Sequence, residues 1–135
     1  MDTNKCAKLK EELASQPEPQ LVEIERFFDG NDDEGSIGCN LMAHPGMESF
    51  RNIFAGLANR SDVEGVYAQI AELDPGEDLW PFTDTIYVAG TIDVEELASI
   101  VVPLEPDDVG PAGPYHPPKS LTDRHGGRLL AIWWD

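Results

Sequence analysis

At 135 residues, with 26 acidic and 9 basic side chains and a formal charge of −17, the chain has the size of one domain and a strongly negative field. That field repels nucleic-acid phosphates and anionic membrane surfaces, so neither is an expected partner, and it attracts cations and basic proteins. No apolar run approaches the ~18 residues that cross a bilayer, the opening MDTNKCAKLKEELA lacks a signal-like stretch, and Cys6 and Cys39 are too few for a disulfide framework. One globular domain over residues 1–135 is expected, in the cytoplasm with reduced thiols.

Along the chain, Cys6, Leu9 and Leu13 form a narrow apolar stripe that predicts a helix over 3–15, ended by Pro17 and Pro19, so that 1–19 reads as a helical arm. Residues 20–28, QLVEIERFF, alternate as a half-buried strand does. After a turn at 29–35, Ile37, Cys39 and Leu41 repeat with period two and predict a hairpin partner over 36–42. His44, Pro45 and Gly46 open a helix whose apolar face is Met47, Phe50, Phe54 and Leu57, ending near Asn59.

Residues 64–73 are ambiguous, because Ser61 and Glu64 suit a helical capping box. Gly65, the Val66–Tyr67 pair and the nearby strand-like run Thr85–Val88 favour a strand there. Asp93 begins a helix through Val94, Leu97, Ile100 and Val101, which Pro103 stops. The six prolines between 103 and 118 and the glycine pair at 126–127 mark 103–127 as a Pro/Gly-rich surface loop, and residues 128–134, RLLAIWW, close the chain as a central strand. Trp133 and Trp134 must then face opposite sides. The result is an α+β fold, a mainly antiparallel sheet of about five strands with helices packed on one face.

Chemistry-bearing patterns are sparse. Asp29-Gly30-Asn31-Asp32-Asp33-Glu34 has the oxygen spacing of half a calcium loop, but Glu34 stands where that loop needs glycine and Asn40 where it needs glutamate. Cys39, His44, His116 and His125 have no zinc-site spacing, and Ser120, Asp123 and His125 lack a nucleophile elbow. No catalytic residue, metal site or cofactor is therefore assigned.

Charge carries what remains, since residues 16–108 hold 21 acids against only Arg26, Arg51 and Arg60. The favoured function is non-catalytic: masking of a basic protein partner, which resembles an inhibitor or immunity protein in size and charge alone. Asp29, Asp32, Asp33, Glu34, Glu77 and Asp78 would supply the acidic surface and an exposed Trp80 the anchor. Two alternatives stand beside it. One is a metal-dependent hydrolase built on Asp29, Asp32, Asp33, Glu34 and His44; the other is a homodimer joined through Trp134 or the Pro-rich loop, its charge serving solubility.

Overall fold

A computed structural model describes all 135 residues, Met1–Asp135. The sheet has five strands: β1 (Leu21–Glu23), β2 (Val63–Glu72), β3 (Phe82–Gly90), β4 (Asp108–Pro111) and β5 (Leu129–Trp133). They lie in the order β1-β2-β3-β5-β4, and every neighbouring pair is antiparallel. The helices are α1 (Thr3–Ala14), α2 (Ile24–Phe28), α3 (Met47–Ala58), α4 (Val94–Val101) and α5 (Lys119–His125). The α+β fold with an antiparallel sheet is thus as expected, and residues 64–73 are strand and not helix for almost their whole length.

Alternation along the strands builds two cores of unequal size. Val66, Ala68, Ile70, Ile86, Val88, Ile132 and Trp134 project to one face, where α1 to α4 add Leu9, Leu13, Phe27, Phe50, Phe54, Leu57 and Leu97. Tyr67, Tyr87, Ala89, Leu129 and Ala131 project to the other and meet Leu121 of α5. Helices α1 to α4 thus share one face, while α5 occupies the second.

Four local expectations change. Cys6, Leu9 and Leu13 are buried in the main core, so α1 is an integral helix and not an arm. The strand expected over 20–28 stops at Glu23, because Ile24, Phe27 and Phe28 at helical spacing gain more burial as the single turn of α2. No strand forms over 36–42: Ile37 is buried in an isolated bridge to Thr83 while Cys39 is exposed, so the period-two pattern there has no sheet behind it, and β1 pairs with β2 instead. Within the expected loop 103–127 lie β4 and α5. Pro111 fits β4 because that strand is at the edge, where a missing amide donor costs no ladder bond.

Ion pairs tie these elements together. Lys5 reaches Asp29 at 2.7 Å, Lys10 reaches Asp74 at 2.9 Å, and Arg60 joins Asp62 at 2.9 Å to Glu96 of α4 at 2.7 Å. Hydrogen bonding from Lys5 holds the Asp29 carboxyl below its ordinary range, and Arg60 does the same for Asp62.

Candidate functional site

Two carboxylates of the acidic turn are ion-paired and a third is an internal acceptor. Asp29 pairs with Lys5, and Asp32 lies 3.8 Å from Arg51 and 3.7 Å from the Met1 amine. Asp33 is an internal acceptor, taking the Gly35 amide on Oδ1 at 2.9 Å and the Trp80 amide on Oδ2 at 3.0 Å. Glu34 is exposed, 3.9 Å from His44. Glu77 and Asp78 lie on the turn between β2 and β3, both exposed. Asp29 and Asp32 share a shallow cavity of about 740 Å³ with Arg26 and Arg51, whereas Asp33 lines a different one, so the structure does not gather the six carboxylates.

Trp80 corrects the sequence reading directly. It is 0% exposed within the main core, because the acidic turn preceding it folds the indole inward while Asp33 holds its amide. A buried tryptophan cannot anchor a partner. Its indole N–H has no hydrogen-bond partner.

The histidines His44 and His125 have structural roles. His44 Nδ1 accepts the Gly46 amide at 2.9 Å, so its Nε2 carries the hydrogen donated to the Ile37 carbonyl at 2.9 Å. No group of three or more His, Cys, Asp or Glu side chains converges in metal-holding geometry. His125, which the sequence places in a polar loop, is 5% exposed and central to a network on the α5 face. Its Nδ1 donates to Glu64 at 3.1 Å, since a carboxylate only accepts, and its Nε2 meets the Tyr67 hydroxyl at 2.8 Å. Arg128 closes the chain on Glu64 at 2.9 Å. Burial raises the Tyr67 hydroxyl above its ordinary pKa, which keeps it a donor. Gly65 makes room for it, since a Cβ there would stand 2.6 Å from the Tyr67 oxygen. Replacing Tyr67 by Phe strands His125 Nε2 and is expected to cost about 1–3 kcal/mol in urea unfolding; an unchanged midpoint would show that water replaces the hydroxyl.

Carboxylates without a cationic partner gather elsewhere, where β3 and β4 flank the end of β5. Glu105, Asp107 and Asp135 line a groove of about 450 Å³ together with Asn40, Leu41, Met42 and Trp134. The Asp135 amide donates to Asp107 Oδ2 at 2.6 Å, and the Trp134 amide donates to the Asp84 carbonyl at 3.0 Å. Asp108 sits directly across from Trp133. None of Asp84, Glu105, Asp107, Asp108 and Asp135 is in an ion pair, although Lys5, Lys10, Arg26, Arg51, Arg60 and Arg128 all are. Met42 at the groove is fully exposed. The indole of Trp134 floors it, 2% exposed, donating to the Leu104 carbonyl at 2.9 Å and packed on Phe50. Trp134 is buried, so it presents no free surface for the dimer contact that the sequence suggests through it.

This site has little signal in the sequence. The run Glu105-Pro106-Asp107-Asp108 is visibly acidic, but only the pairing of β4 with β5 brings it against residues 133–135.

Fold and site together define a small α+β domain bearing an acidic groove at one end of its sheet. Residues 4–125 match the model described as the uncharacterized protein YfbO family, and the chain belongs to that family. The uncharacterized protein YfbO of Escherichia coli (strain K12) is 32% identical over 93 residues, an alignment spanning 68% of this chain and 64% of that relative, less than two thirds of the relative's length. No solved structure matches the chain.

Proposed function

We propose that this chain is a non-catalytic binding protein that masks a basic partner protein with the acidic end of its sheet. The observation that carries the reading is the group Glu105, Asp107 and Asp135, free of ion pairs, around a groove from which the exposed Met42 protrudes. Unpaired like charges held close repel one another, and a cationic surface relieves that repulsion on contact. Met42 and Leu41 supply adaptable apolar area beside the charge, and a flexible thioether suits a surface that moulds to its partner. No helix is long and apolar enough to cross a membrane. On this reading the protein works in the cytoplasm, where its free cysteines, Cys6 buried and Cys39 exposed, stay reduced.

The test is the association of a labelled lysine- and arginine-rich peptide, followed by fluorescence anisotropy at low and high salt. Exposed charges are screened over ~10 Å at 0.1 M, so the association rate is expected to fall about tenfold or more between about 0.02 and 0.2 M. The triple variant Glu105→Gln, Asp107→Asn, Asp135→Asn should lose most of the binding. The pair Asp29→Asn, Asp32→Asn should lose little, since those carboxylates are already engaged. Absence of binding at low salt, or equal losses from both sets, overturns the proposal.

A further inference from the structure

We infer that Trp133 and Asp108 form a seat for an arginine side chain of the partner, on the face of β5 opposite the groove. The inference rests on the masking role proposed above and names the partner chemistry at the second face of the same acidic end.

The register sets Asp108 directly across from Trp133, so their side chains stand side by side on one face, about 5 Å apart at Cβ. That face is the second one, because Val109, Ile132 and Trp134 turn the other way into the main core. Trp133 is the one partly exposed tryptophan, Trp80 and Trp134 being 0% and 2% exposed. The row to which the pair belongs runs across the sheet as Leu21, Gln69, Thr85, Trp133 and Asp108. Leu121 of α5 packs beside it, on Tyr67, Tyr87, Leu129 and Ala131, and leaves Leu21, Gln69 and Trp133 partly open.

The carboxylate is positioned before any ligand arrives. The Tyr115 hydroxyl donates to Asp108 Oδ2, leaving Oδ1 unengaged at the exposed edge of β4. Burial, helped by that hydrogen bond and the Asp108 charge, pushes the Tyr115 hydroxyl up to about 12, so it remains a donor across the neutral range. An indole face beside a fixed carboxylate suits a planar, delocalised cation, which stacks on the ring while its N–H groups reach the oxygen. A guanidinium meets both demands; the ammonium of lysine is a hydrated point charge with no plane to stack. The ion-pair-free Asp84, Glu105, Asp107 and Asp135 around the strand end favour a cationic occupant over an apolar one.

The experiment compares labelled hexa-arginine and hexa-lysine peptides of equal charge by anisotropy at low salt, on the full chain. Wild-type protein should bind the arginine peptide about tenfold more tightly. Trp133→Leu and Asp108→Asn should each erase that preference while salt-dependent binding persists. The groove triple variant should weaken both peptides alike. Asp108→Asn lies on an exposed edge, so it decides the matter if Trp133→Leu fails to fold. Equal affinity of wild-type protein for the two peptides, or a preference that survives Asp108→Asn, overturns the arginine seat and leaves masking standing. Failure of both peptides to bind overturns masking and seat together.

Discussion

Alanine at Gly90 is expected to destabilise the protein by about 3–5 kcal/mol, the sum of a strained backbone and an overpacked contact. Gly90 ends β3 at φ +144°, where L side chains rarely sit, and a Cβ there would lie 2.2 Å from the Asp62 carbonyl oxygen. That oxygen has nowhere to retreat, because it accepts the amides of Thr91 at 2.9 Å and Ile92 at 3.2 Å. Domains of this kind are stable by only about 5–15 kcal/mol, so the variant should lose a large share of its stability and unfold at far lower urea. Urea unfolding followed by circular dichroism checks it, with Gly110→Ala as the control. Gly110 has nothing within 4 Å of its would-be Cβ, and its change should stay within about 0.5 kcal/mol. A Gly90→Ala midpoint equal to wild type would refute the β2–β3 register at that end.

Trp134→Ala should cost a comparable about 3–5 kcal/mol, because it removes a ring buried to 2% whose centroid lies 5.8 Å from that of Phe50. Trp134→Phe retains an aromatic ring but leaves the Leu104 carbonyl without its indole donor, an expected loss of about 1–2 kcal/mol. The two values separate packing from hydrogen bonding in the same unfolding assay. Equal losses would show that the bond to Leu104, and not the ring, carries the position. Since Trp134 also floors the acidic groove and holds the residue before Glu105, the alanine variant should bind basic peptides more weakly than its remaining folded fraction explains.

Elements with one dominant period are legible in the amino-acid order alone. The helical spacing of Met47, Phe50, Phe54 and Leu57 and the β-branched run through Thr85–Val88 each have a single good solution. Where two periods overlap, tertiary burial decides. Ile24, Phe27 and Phe28 fit a helix as well as a strand and go to the helix, while Val66, Ile70 and Leu73 fit a helix and their segment becomes strand because β3 needs a neighbour. α5 is only seven residues long, too short to display a face, and its boundaries lie among prolines and glycines that signal loops.

The candidate site is less legible than the fold for a physical reason. Acidic residues look alike in a sequence, and whether each is neutralised depends on long-range neighbours. Asp29 and Asp32 look the most available, yet Lys5 and Arg51 pair with them. Asp107 and Asp108 lie in a short acidic run and Asp135 stands apart from it, yet none of the three has a cationic partner, and only the pairing of β4 with β5 brings them together. Trp80, expected to be exposed, is buried by a turn, and of the two terminal tryptophans it is Trp133 that is left partly exposed at an uncovered row.

The position of β5 has a bearing on how the chain holds together after damage. It is the latest strand along the chain, yet it slots between β3 and β4 and not at a margin. A single protease nick at the exposed Gly126–Gly127 pair would leave it held by noncovalent pairing alone. If the fragment dissociated, the amides and carbonyls of Ile86 and Val88, which face β5, would lie bare beside buried apolar side chains, a ready template for other molecules to stack upon. Cleavage in that short link is thus expected to open a route from the folded chain to aggregates.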